Sequence, residues 1–505
     1  MSPVSPGTYI KEIDRSLYAP QAAPTSVGIV ITATKGPLNT RTLVGDENTF
    51  TETFGRADPN SQGFYAARQI LRELNTLWVV RVGSDMGDDP LGKGFATLVD
   101  ALAADSVKFE ASEYGTYSTD YEIRVSAGST SGFKIDLYDT FSTRNPELLE
   151  TWDNLTRANV EDTVNDPDTG SERITAEVLG VAGEPDPTQD AVGFEMVDLG
   201  GGIVEGNGFS GSNIASKVIA GIQEFDDREQ VFVDTILAPG FSDTVVVNQL
   251  ITTAETRKDA VAIVDPPTGL TATGVVDWHN EPSPGSPALN SSYAALYWPE
   301  QVVFDEFNNQ EVILAPSCFA AAAFGRTDRA AYPWYAPAGD PRGAVNSLRS
   351  VTTPNQAERD LMYGPGNSVN PIVNKLGQGI FIQGQKTLQR ETTALDRLNV
   401  RRSLNQIKTT LATVTESFVF EFSDSFTWRQ WLSVAEPPLR DIRAQRGLID
   451  FLLVMDETLN TEIVQERNEM RGRIYLKFTK VAEVIELEFV ITSQGADFNE
   501  LLNAA

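Results

Sequence analysis

Cysteine and histidine are nearly missing: the 505 residues contain one of each, Cys318 and His279. A single cysteine cannot close an internal disulfide, so the oxidative staples of small secreted domains are excluded. It sits in Pro316-Ser317-Cys318-Phe319-Ala320-Ala321, a setting for a buried small residue rather than a nucleophile. A single histidine, in the loop-like Val276-Asp277-Trp278-His279-Asn280, leaves no His-rich metal constellation and little material for a hydrolytic triad. Long hydrophobic runs are missing too. No stretch reaches the roughly 18 apolar residues that a membrane helix needs, so membrane insertion is not expected. The first residues lack the charged-then-apolar pattern of a signal peptide, and the chain is expected to be made and folded in a cytoplasm.

Positive charge is scarce: 40 Lys and Arg stand against 70 Asp and Glu, a net −30. Direct nucleic-acid binding needs a basic face, which this balance opposes. The excess is uneven. Residues 371–505 hold 16 Lys and Arg against 18 Asp and Glu, so residues 1–370 carry a net −28. The acidic part suits a solvated surface, and the nearly neutral part suits contact with partners.

What is present reads as an alternation of buried strands and helices. Residues 1–24, with Pro3, Pro6, Pro20 and Pro24, form an extended arm. From Thr25 the runs 26–33 and 42–44 read as strands, 62–74 as a helix with Phe64, Ala67, Leu71 and Leu74 on one face, and 77–82 as a buried strand. That spacing argues for an α/β layer. The pattern resumes at the strand 230–234, the helix 245–257 and the strand 260–265. Between them, alternating segments such as Tyr121-Glu122-Ile123-Arg124-Val125 point to a β-rich insertion. The expected fold is mixed α/β and α+β in several domains. An N-terminal arm covers 1–24, an α/β core 25–104 and 206–370, an inserted β-rich domain 105–205, and a C-terminal α+β domain 371–505.

The C-terminal part is the most legible. Val400, Leu404, Ile407, Leu411 and Val414 make one helical stripe, with Arg397, Arg401 and Lys408 along its flank and Arg402 pointing away. Phe418-Val419-Phe420-Glu421-Phe422 reads as a strand, and Asp424 as the N-cap of a helix carrying Trp428 and Trp431. Pro437-Pro438 should end that helix and open another. Residues 474–479 and 484–489 can be set as a terminal hairpin with one wholly apolar face.

Both ends carry strand signals that the rest does not absorb. Tyr9, Ile10, Lys11, Glu12 and Ile13 form one extended segment after Pro6-Gly7, with neither face wholly apolar, which suits a sheet edge. Ile485, Leu487, Phe489 and Ile491 share one face of another. Terminal strands of this kind can be lent to the sheets of neighbouring copies. The N-terminal arm, fully stretched, reaches about 80 Å.

Several segments in this order resemble the tail sheath proteins of contractile-tail bacteriophages. They are Pro6-Gly7-Thr8-Tyr9-Ile10-Lys11-Glu12-Ile13, Thr25-Ser26-Val27-Gly28 with Lys35-Gly36-Pro37, and Trp78-Val79-Val80-Arg81-Val82. Ala315-Pro316-Ser317 with Arg326-Thr327-Asp328 and Trp334-Tyr335-Ala336-Pro337 follow, then Gly384-Gln385-Lys386-Thr387-Leu388 and Asn399-Val400-Arg401-Arg402. The resemblance spans 6–100 and about 220–492. Pro437-Pro438 departs from it, in a helix that usually looks continuous. It implies a homo-oligomeric helical sheath of stacked rings around a tail tube protein, in a virion tail assembled in the host cytoplasm. Baseplate and tail terminator proteins are further implied partners. The insertion would lie outward and the C-terminal domain against the tube, with Arg397, Arg401 and Lys408 as tube-facing candidates.

Catalytic readings fare poorly, and neither a cofactor nor a metal is expected. Gly206-Asn207-Gly208-Phe209-Ser210-Gly211 matches a dinucleotide pattern without a strand directly before it. In 87–94, Gly94 replaces the Ser or Thr that holds magnesium in a P-loop. Asp166, Asp168 and Glu172 read as a polar turn sooner than a calcium loop. The rival is an α/β enzyme with an acidic surface; within the structural class it is the sheath of a phage-derived injection particle.

Overall fold

The computed structural model describes residues 25–487, except 60, 84–92, 101, 103, 113–114, 141–145, 181–184, 189–193 and 196–211. Its centre is an eight-stranded sheet. In spatial order the strands are Gly379–Ile382, Val369–Lys375, Ala294–Trp298, Val261–Val264, Thr235–Leu237, Val27–Ile31, Leu77–Arg81 and Arg41–Val44. The six inner strands pair in parallel and both edge strands antiparallel. Sequences such as Val27-Gly28-Ile29-Val30-Ile31 have no polar face because helices cover the sheet on both sides.

Alternation divides each strand between two cores. Val27, Ile29 and Ile31 share one with the helices Gly63–Leu71 and Pro316–Ala330. Val30, Val80 and Val82 share the other with the helices Ser212–Gln223, Thr244–Arg257 and Ala272–Asn280. Gly221 lets the first of these close on the sheet, since a Cβ there would lie 2.6 Å from Val82. Regular pairing begins at Thr235 rather than in the expected 230–234, partly because Arg257 takes the Val231 carbonyl at 3.0 Å.

The alanine-rich helix Pro316–Ala330 starts with proline at its first turn, where a missing N–H costs nothing. Asp265, just past the strand Val261–Val264, accepts the Ser317 backbone N–H at 3.0 Å and its hydroxyl at 2.5 Å. Cys318 is wholly buried beside it, and burial pushes its thiol up. His279 lies not in a loop but buried in the helix Ala272–Asn280, where burial pulls its imidazole down to about 4. It stays neutral and inside.

The insertion is β-rich as expected, but its core starts at Ala96 rather than after 105. A three-stranded sheet (Phe95–Val99, Asp105–Ala111, Ile174–Val178) and a four-stranded one share that core. Asp166 accepts the backbone N–H groups of Asp168 and Thr169, both at 2.8 Å, which makes a turn. No metal-ligand cluster of His, Cys, Asp or Glu occurs among the described residues. At the other boundary, the strands Val369–Lys375 and Gly379–Ile382 belong to the central sheet, so residues 371–382 are core rather than C-terminal domain.

Burial pushes the Asp265 carboxyl up to about 7 against the hydrogen bonds that favour its charge. In the folded chain it holds its proton to higher pH than in the unfolded chain, so its contribution to stability falls as pH rises from about 4 to about 7. Denaturant titrations of D265N and the native chain should therefore show native stability declining relative to D265N across that window and running parallel above it.

Candidate assembly interface

The helix Leu398–Glu416 joins the α/β core to everything that follows it. Residues 398–403 are buried without interruption, so its first turns have no solvent side. Asn405 donates to the Ala260 carbonyl at 3.1 Å and Asn399 to that of Trp334 at 3.2 Å. Arg402 does not point away: it is buried over the Phe324 ring and ion-paired with Asp328. Thr25, the first described residue, donates to the same carboxylate at 2.6 Å and is tied to this pair.

The three flank cations are not a free basic row. Arg401 is buried, 3.9 Å over the Tyr293 ring, and donates to Ser292. Lys408, half-buried, donates to the Tyr293 hydroxyl at 3.0 Å. Arg397 pairs with Asp396 at 3.0 Å and Glu483 at 2.7 Å. Periodicity placed them on one flank, but that flank packs against the core.

From Ile407 on, the stripe turns to a separate hydrophobic cluster. Ile407, Leu411 and Val414 meet Trp334, Trp428, Trp431, Ala435, Leu439 and Ile442. The second helix, Ser425–Ala444, is capped by Asp424, which accepts from the N–H groups of Phe426 (3.0 Å) and Thr427 (2.8 Å). It passes through Pro437-Pro438 without ending. The prolines lack N–H donors, so the Ser433 and Val434 carbonyls lose their helical partners, while buried Pro438 keeps the apolar face continuous.

The expected strand 418–422 is a chain of turns. Phe418 N donates to the Thr415 carbonyl at 2.9 Å and Glu421 N to that of Phe418 at 3.2 Å. Phe418 is buried, yet Phe420 and Phe422 are 103% and 83% exposed, and Phe420 holds φ at +73°. Positive φ in a bulky residue is strained and persists only where the surroundings fix it.

The final sheet has two strands, Leu448–Val454 and Arg473–Phe478, paired antiparallel with Phe451 opposite Leu476 and Leu452 opposite Tyr475. Phe451, Leu453, Leu476 and Phe478 pack inward; Leu452 and Tyr475 are exposed. The expected hairpin is therefore corrected: the partner of 473–478 is 448–454, an apolar run that sequence reading passed over. Residues 479–487 carry no strand, and Ile485 and Leu487 are 77% and 72% exposed. Among the described residues both outer edges of this sheet are unpaired. Tyr9–Ile13, Phe489, Ile491, Gly206–Gly211 and most of 87–94 lie outside the described residues.

The C-terminal part thus presents a two-stranded sheet with open edges among the described residues, followed by the exposed residues 484–487. In sequence, the chain is 29% identical over 322 residues to the tail sheath protein of Vibrio phage KVP40, covering 59% of this chain and 47% of the relative. It is also 29% identical over 301 residues to that of Enterobacteria phage T4, covering 56% and 45%. The chain is similar in sequence to phage tail sheath proteins. It spans about half the length of the curated sheath proteins it matches. No protein-family model matches it. Its fold is that of the sheath tail protein from Desulfitobacterium hafniense, with a TM-score of 0.61 at 10% identity over 94% of this chain and 100% of the other. The sheath of an extracellular contractile injection system, in its contracted state, gives a TM-score of 0.56 at 13% identity over 98% and 100%.

R402A leaves Asp328 as an uncompensated buried charge and should cost about 3–5 kcal/mol in chemical denaturation. Replacing Phe420 and Phe422 together by serine should leave the melting temperature within about 2 °C, since neither is buried, yet reduce sedimenting polymer at equal concentration.

Proposed function

We propose that the chain is the structural subunit of a contractile tail sheath, polymerising as stacked rings around a tail tube and contracting to drive that tube through a host envelope. The observation that carries this is the pair of unpaired edges on the C-terminal sheet. In this reading the segment Tyr9–Ile13 of one neighbour and Ile485–Ile491 of another fill them. Each added strand would contribute about 4–6 backbone hydrogen bonds of about 0.5–1.5 kcal/mol. Such joints hold while globular bodies rotate past one another, so a change in body-to-body contact would be summed along the cylinder.

The remaining partners of the reading are the tail tube, baseplate and terminator proteins, within a virion tail assembled in the host cytoplasm. Lys408, partly exposed, is the one of the three flank cations that stays a candidate for the tube. The −28 of residues 1–370 fits an outward, solvated shell and the near-neutral remainder an inward one. The relatives being sheath proteins, a catalytic reading has no support in them.

Negative-stain microscopy of purified protein should show tubes; monodisperse particles that turn over a substrate would sink the reading. Deleting residues 1–18 should leave a folded, soluble monomer that forms no long tubes, as read by circular dichroism and sedimentation. Tubes of native length from that deletion would remove strand exchange from the account.

A further inference from the structure

One sequence motif, Gly384-Gln385-Lys386-Thr387-Leu388, is not explained by the open edges, yet each of its residues has a defined task. Leu388 is wholly buried and its N–H donates to Ala294 at 2.8 Å; Thr387 donates to the Leu395 carbonyl at 2.9 Å. Lys386 donates to the carbonyls of Tyr363 (2.8 Å), Gly364 (3.1 Å) and Asn367 (3.3 Å), closing the end of the helix Gln356–Met362. Gly384 admits the Tyr363 ring, since a Cβ there would lie 3.0 Å from it. Gln385 is buried, and its Nε2 donates to Glu483 Oε1 at 3.0 Å.

Arg397 Nε donates to the same oxygen at 2.7 Å. Burial and then the Glu483 charge beside it push the Tyr363 phenol above its ordinary range. Asp396 and Lys386 are the other charged groups around it. The Glu483 side chain is 26% exposed, whereas Val484, Ile485 and Leu487, directly after it, are 87%, 77% and 72% exposed. The segment is held at Glu483 and exposed at Val484, Ile485 and Leu487.

We propose that Gln385, Arg397 and Tyr363 form a carboxylate socket whose ligand is Glu483 of the same chain, and that this pin marks where the C-terminal segment leaves its own subunit. The inference rests on the sheath reading for its purpose. Residues 484–491 then form the donated strand, about 26 Å long at about 3.3 Å per residue. Pinning its root removes freedom that would otherwise be lost on docking, and so favours the joint. Arg397 is thus a positioning residue for the donated strand, not a tube contact.

The test uses the full chain. R397E and E483R should each raise the concentration needed for tubes about tenfold, as charge-assisted bonds of this kind allow, and the double reversal should restore most of it. All three should melt within about 3 °C of the native chain, since the pair is partly exposed. Separately, E483Q should be cut by trypsin after Lys480 about fivefold faster in the free subunit, because a local latch is gone. A double reversal no better than its singles overturns the pin, as does E483Q cut at the native rate. Should native chains form no tubes, the sheath reading fails, and the proteolysis result alone then decides the pin.

Discussion

A backbone N–H that finds no partner in its own chain must find one in water or in another chain. The C-terminal sheet is organised around that requirement. Its two strands pack one face on the helix Ser425–Ala444 and, among the described residues, leave both edges free. Two strands alone are marginal in water, and packing against that helix supplies the stability the pair lacks by itself. In the proposed sheath, strands lent by neighbouring copies would extend the sheet at those edges.

That sheet would be of little mechanical use if it were loosely attached. The helix Leu398–Glu416 supplies the attachment by serving two cores in succession. Its first turns are locked under the central sheet by Arg402, Asn399 and Asn405, and its last turns belong to the tryptophan-rich cluster. Thr25, the first described residue, is bonded to Asp328 beside Arg402.

Much of the fold was legible in the sequence, because the central strands are apolar on both faces and the stripe from Val400 to Val414 has clean helical spacing. The misreadings share a physical cause: local pattern cannot see distant partners. Residues 474–479 alternate, and so do 484–489, so a local hairpin looked self-consistent; the true partner lies about two dozen residues upstream and is an apolar run with no alternation to mark it. Phe418–Phe422 has strand composition but follows a helix end that turns instead. Arg397, Arg401 and Lys408 were placed on the right flank, but periodicity gives direction around an axis and not what waits there. Tyr293, Ser292 and Glu483, their actual partners, come from remote parts of the chain. One sign was available: two adjacent arginines following an Asn, in a helix otherwise rich in apolar and small polar residues, are as consistent with buried pairing as with solvent.

The double proline in the helix Ser425–Ala444 has its own consequence. Two rungs of the hydrogen-bond ladder are absent there while the buried flank stays filled. A rod missing rungs on one side bends most easily at that level. Torque passing between the aromatic turn at one end and the open sheet at the other would be absorbed as flexure at Pro437-Pro438, sparing the packed ends from fracture.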